Sequence, residues 1–70
     1  MKIIFSAHVK ERMLQRGINE PTVKDILCNP DYLKTSFSGR KVATKKLDKL
    51  WHVVFTEEEG SAIVISVYFD

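Results

Sequence analysis

Seventy residues with 44% hydrophobic side chains and a net charge of +2 make one small domain, residues 1–70, and a chain this short buries only about 60% of its unfolded surface. The mild basicity allows a local positive patch but excludes a protein that coats nucleic acid through bulk charge. A single cysteine, Cys28, excludes an internal disulfide framework and a cysteine-rich zinc site, which leaves it a structural role and fits a reducing compartment.

Taken in chain order, Lys2 to Phe5 predicts a short strand. Polar Ser6 arrives too soon for a signal-peptide core, and no stretch approaches transmembrane length, so a soluble, cytoplasmic protein with no membrane partner is expected. Ser6 is a natural N-cap for a helix to about Arg16, where Gly17 supplies a left-handed stop. Asn19 caps a second helix with Pro21 in its first turn and Val23, Ile26 and Leu27 as its apolar stripe. That helix must end near Cys28, because the residue before Pro30 is pushed out of helical geometry.

Beyond Pro30 the period changes to two. Leu33, Thr35 and Phe37 alternate with Lys34 and Ser36, Ser38-Gly39 turns the chain, and Arg40 to Leu47 forms the second arm of a hairpin. A turn near Asp48-Lys49 leads into a strand from Leu50 to Thr56, Glu57 to Gly60 turns again, and Ser61 to Phe69 is the most apolar strand. Trp51, Val53 and Phe55 with Ile63, Ile65, Val67 and Phe69 are expected on one face, covered by the two helices. Leu50, His52, Val54 and Thr56 with Ala62, Val64, Ser66 and Tyr68 would form a mixed face open to a partner or a second copy of the chain.

The first helix carries His8, Arg12 and Arg16 four residues apart on one ridge, with Val9, Met13, Leu14 and Ala7 expected on the opposite, buried arc. Arg12 and Arg16 repel each other at i and i+4, which costs a few tenths of a kcal/mol, and Glu11 lies beside the ridge rather than on it. An external anion would relieve that repulsion. The ordinary alternative is a solvated cationic stripe.

The pattern His8-x-x-x-Arg12-x-x-x-Arg16-Gly17-Ile18, followed by Val23, Leu27, Pro30, Gly39-Arg40 and a closing apolar strand that includes Tyr68, resembles the domain of unknown function 4258 family over nearly the whole chain. That family looks like a branch of the RelE/ParE-like and barnase-like superfamily of small toxins. The resemblance implies an α+β fold with two N-terminal helices on one face of a four- to five-stranded antiparallel sheet, and the strand reading agrees. It also implies a toxin-antitoxin setting, with an RNA target that is cut without a metal or only bound, on or off the ribosome, and an antitoxin protein as partner.

Metal-free RNA cleavage needs a base for the 2′-OH, an acid for the leaving oxygen and cations around the phosphorane. His8 is the leading candidate for proton transfer, with His52 or Tyr68 completing the pair. Arg12, Arg16 and Arg40 suit bidentate phosphate contact, and Lys46 adds a point charge. Each has an ordinary counterpart: His8 bonded to a backbone carbonyl, Arg16 as a structural clamp, Arg40 as a strand-start charge, His52 and Tyr68 as packing residues, Lys46 solvated.

Two histidines separated by most of the chain give no metal-ligand spacing, the Glu57-Glu58-Glu59 run reads as solvated turn acids, and Trp51 and Phe37 read as core. No glycine-rich phosphate loop or nucleophile elbow is present, so neither metal nor cofactor is expected. Two classes remain: a toxin-like RNA-binding domain or ribonuclease built on His8, Arg12, Arg16 and Arg40, and a noncatalytic interaction module or dimer.

Overall fold

The computed structural model describes residues 2–36 and 38–70. The chain runs β1 (Lys2–Phe5), α1 (Ala7–Arg16), α2 (Glu20–Cys28), β2 (Tyr32–Thr35), β3 (Lys41–Lys46), β4 (Leu50–Glu58) and β5 (Ser61–Phe69). The strands form one sheet in the order β1-β5-β4-β3-β2. The expected strand and core positions of Phe37 lie outside the described residues.

The fold is α+β, but the sheet is mixed rather than wholly antiparallel. β2 to β5 meander antiparallel, whereas β1 pairs parallel to β5, with Lys2 opposite Ser61 and Phe5 opposite Val64. A parallel pair needs a long connection between its members. Both helices and three strands supply it, and no local pattern in the first five residues marks the direction.

Local chemistry sets the helix ends. The Val9 N–H donates to the Ser6 hydroxyl at 3.1 Å, and Gly17 closes α1 at φ 73° while the Ile18 N–H donates to the Met13 carbonyl. The side chain of Asn19 accepts from the Thr22 N–H at 3.0 Å to start α2. α1 lies over β5, and α2 over β3 and β4.

Val9, Met13, Ile18, Val23, Ile26 and Leu27 from the helical layer meet Ala43, Trp51, Val53, Phe55, Ala62, Val64 and Val67 from the sheet. Ile26 is fully enclosed. Removing such a side chain forfeits about 2–5 kcal/mol from a total stability of roughly 4–10 kcal/mol for a domain of this size.

Three core expectations are corrected. Leu14 is 82% exposed and Ala7 is exposed. At about 100° per residue, Met13 lies about 40° from Val9 while Leu14 and Ala7 lie about 140° and 160° round the helix. A narrow apolar stripe of Val9 and Met13 meets β5. Cys28 is exposed at the end of α2 and takes no part in the core.

The third correction is a β-bulge. Val54 pairs with Ser66 but Phe55 pairs with Val64, so Ile65 is an extra residue in β5. One inserted residue exchanges the faces of everything before it. Ala62 and Val64 therefore join Trp51, Val53 and Phe55 in the core, while Ile63 and Ile65 are only half-buried. Phe69 is partly exposed, edge-on to Trp51 with ring centroids 5.0 Å apart.

The last turn is also shorter than Glu57 to Gly60. β4 runs on to Glu58, and Glu59 and Gly60 alone reverse the chain with φ of 49° and 78°, the paired positive values of a type I′ hairpin.

Candidate functional site

The helix phase that exposes Leu14 also locates the cationic ridge. Arg16, Arg12 and His8 lie about 20°, 60° and 100° from Val9 on its other side, so the ridge borders the buried stripe instead of opposing it. His8, Arg12 and Arg16, with Val9, line a pocket of about 250 Å³ against Ile65 and Ser66 of β5. Arg16 is half-buried there, and His8 and Arg12 are exposed.

Topology and the bulge both shape this pocket. β1 pairs with β5 only as far as Val64, so from Ile65 onward that edge has no strand neighbour among the described residues. The bulge residue and Ser66 thus form the wall facing α1.

The electrostatics are one-sided. No carboxylate lines the pocket, and the first turn of α1 holds no acidic residue, although a helix N-terminus favours negative charge. Four lysines elsewhere are partnered, Lys10 with Glu20 at 3.9 Å, Lys41 with Glu57, Lys45 with Asp25 at 3.3 Å and Lys49 with Asp48 at 3.2 Å, whereas among the described residues Lys2, Lys24, Lys34, Arg40 and Lys46 stand singly on the surface. Among the described residues no ion pair involves Arg12 or Arg16. Two guanidiniums and an imidazole can hold an oxyanion.

The remaining sequence candidates lie elsewhere. Arg40 is exposed just before β3 and Lys46 is exposed at its far end, its backbone N–H donating to Asp31 Oδ2 at 2.8 Å. Neither lines the pocket. His52 and Tyr68 are directly opposite one another on β4 and β5, on the sheet face away from the helices, and are not in the His8 pocket. The structure thus brings the sequence candidates together in two groups, His8, Arg12 and Arg16 in the pocket and His52 with Tyr68 across the sheet.

His52 has its own surroundings. Its Nε2 is 3.0 Å from Asp70 Oδ2 and its Nδ1 is 2.9 Å from Thr44 Oγ1. An ionised carboxylate only accepts, so Nε2–H donates to Asp70, and in the neutral ring Nδ1 accepts from the Thr44 hydroxyl. The His52 and Tyr68 rings stack with centroids 4.8 Å apart and planes inclined by 24°. A broader cleft of about 660 Å³ opens beside them, with Tyr32, Lys34, Val42 and Thr44 among its walls.

Sequence reasoning missed Ser66 and Ile65 at the first pocket and Thr44, Asp70, Tyr32 and Lys34 at the second. Their only signal is long-range strand register, which a single sequence does not display. In the sequence Asp48 has the look of a turn residue and nothing more. Its carboxylate accepts from the Trp51 indole N–H at 3.0 Å, and that bond, helped by Lys49, lowers its pKa from 3.8 to about 2.

Among the described residues, no group of three or more His, Cys, Asp or Glu is placed to hold a metal ion, and no helix is long and apolar enough to cross a membrane. No curated protein and no solved structure matches the chain. A family model does: residues 5–69 match the family described as domain of unknown function (DUF4258). With nearly every element from β1 to β5 inside that match, the chain belongs to this family.

Proposed function

We propose that the domain binds RNA, gripping the phosphate backbone with Arg12, Arg16 and His8 in the pocket between α1 and the bulged edge of β5. The observation that supports this reading is the grouping of three potential cations in one pocket that no carboxylate lines. Guanidinium groups suit bidentate contact with phosphate oxygens, and the pocket takes a small anionic group rather than a bulky ligand.

Within this reading, a place among the RelE/ParE-like toxins and a neutralising protein partner follow from the sequence resemblance. Any RNA cleavage would fall to His8, the one imidazole in the pocket and the side-chain type that most often transfers protons in catalysis. The absence of His52 and Tyr68 from the lining of that pocket weighs toward binding without a matched acid–base pair, and the absence of Arg40 from the same lining weighs against a role for it in the grip.

The test measures anisotropy of a labelled single-stranded RNA with wild-type protein and the Arg12→Ala/Arg16→Ala variant. Loss of binding at unchanged thermal midpoint is expected; equal binding by both proteins removes the reading. Inducible expression with growth and RNA integrity followed together tests the toxin and ribonuclease extension, which intact RNA and normal growth would end.

A further inference from the structure

We propose that the uncovered sheet face is a stacking slot for one nucleobase of single-stranded RNA, with Tyr32 as one wall and the His52–Tyr68 pair as the other. This rests on the RNA reading above and extends it from phosphate to base.

Strand register builds the slot. Tyr32 pairs with Thr44, Thr44 with His52, and His52 with Tyr68, so four side chains form one row across four strands. Aromatic rings stand at both sides and the small Thr44 stands between them. Tyr32 and His52 are two strand spacings apart, roughly 9–10 Å. A planar ring in van der Waals contact on both faces takes about 7–8 Å. One ring fits, and the cleft of about 660 Å³ lies there.

The surrounding chemistry suits a heteroaromatic ring bearing an anion. His52 is held at both nitrogens, by Thr44 and by Asp70, so its ring is already oriented before a ligand arrives. The Thr44 oxygen, having donated its proton toward His52, keeps acceptor capacity for a base amino group. Lys34 lines the same cleft and supplies a cation for an attached phosphate. A purely apolar occupant would take water from the Lys34 ammonium and give it no partner in return.

The two sites share β5. Ser66 borders the phosphate pocket, Tyr68 ends the row two residues or about 6.6–6.8 Å further along the strand, and the slot over Thr44 lies two strand spacings, roughly 9–10 Å, across the sheet from there. A strand held by Arg12 and Arg16 can therefore pass round the free edge onto this face. Base–aromatic stacking is sequence-tolerant, so the slot would add affinity with little sequence preference.

The test compares a single-stranded RNA decamer with an abasic ribose-phosphate chain of the same length. Tyr32 is 73% exposed on an edge strand, so Tyr32→Ala leaves the fold intact. That variant should lose roughly 5- to 150-fold in affinity for the decamer, the range of one base stack, and bind the abasic chain as wild type does; Tyr32→Phe should keep most of the affinity. Arg12→Ala should weaken both ligands, which separates the phosphate grip from the slot. Equal affinity of wild type for the two ligands, or a Tyr32→Ala variant that matches wild type on the decamer, overturns the proposal. So does a wild-type dimer that Tyr32→Ala dissociates, because a second copy would then cover the face. If no RNA binds, the phosphate reading falls, and NMR titration decides the slot alone. Upfield shifts of the Tyr32 and His52 ring protons with adenosine monophosphate but not ribose 5-phosphate support it; their absence ends it.

Discussion

Salt separates a phosphate grip from a merely basic surface. Each phosphate neutralised on single-stranded nucleic acid contributes about 0.7 to the slope of log affinity against log salt. The pocket contains two guanidiniums, so Arg12→Ala should reduce the magnitude of the slope by about 0.7 and Arg12→Ala/Arg16→Ala by about 1.4. Between 50 and 200 mM salt, a slope component of 1.4 corresponds to about a sevenfold loss of affinity, and 0.7 to between two- and threefold. Arg40→Ala is the internal control. Arg40 is exposed, as Arg12 is, but lines neither pocket, so its slope should overlay that of wild type. Anisotropy titrations at four or five salt concentrations give these slopes directly. If Arg40→Ala flattens the curve as much as Arg12→Ala, the RNA is following general basicity and the pocket has no special standing.

Should the protein cut RNA, His8→Ala should lower the cleavage rate roughly a hundredfold or more while most affinity is retained through the arginines; cleavage at the wild-type rate would move proton transfer to another residue. Acid stability should also depend on the Asp48 carboxylate, which is held at a pKa of about 2 against an ordinary 3.8. Because the folded value is the lower one, its contribution is fully present above about pH 4 and is lost as pH falls through 2. Asp48→Asn keeps an acceptor for the Trp51 indole but removes the titration, so its thermal midpoint should vary less with pH between 4 and 2 than that of wild type. Superimposable acid profiles would show that the Asp48–Trp51 bond is not maintained in solution.

The parts of this molecule legible in its sequence are those set by neighbours in the chain. Ser6, Gly17, Asn19 and Pro21 mark the helix ends because each acts on backbone groups within a few residues. The four residues of β1 say nothing of their direction, and nothing before Ile65 announces that β5 holds one residue more than β4 can pair. That single insertion put Ala62 and Val64 into the core in place of Ile63 and Ile65, against the hydrophobicity of the strand itself. The covering helices and the pairing of Phe55 set the winning register, and both are distant in sequence. Leu14 failed for a different reason: apolar residues do not all face inward when a helix meets one strand along a narrow line.

The candidate site divides in the same way. Spacing of four on α1 was enough to group His8, Arg12 and Arg16, whereas the row Tyr32, Thr44, His52 and Tyr68 requires three pairing registers at once. His52 and Tyr68 stand out as residue types, yet only those registers separate them from His8.

The short β1 gives the ridge a second physical role that must be distinguished from RNA binding. Past Val64 the edge of β5 has no neighbouring strand among the described residues, and exposed strand edges recruit other strands unless charge discourages it. His8, Arg12 and Arg16 stand beside that edge and would protect it by charge alone. Edge protection asks only for a cation, which lysine supplies as well as arginine; phosphate recognition uses the planar fork that lysine lacks. Arg12→Lys/Arg16→Lys should therefore remain as soluble and monomeric as wild type while binding RNA more weakly, with little change in salt slope because the charges persist. Unchanged RNA affinity in the lysine variant would assign the ridge to guarding the edge, and the fork geometry would no longer be needed to explain it.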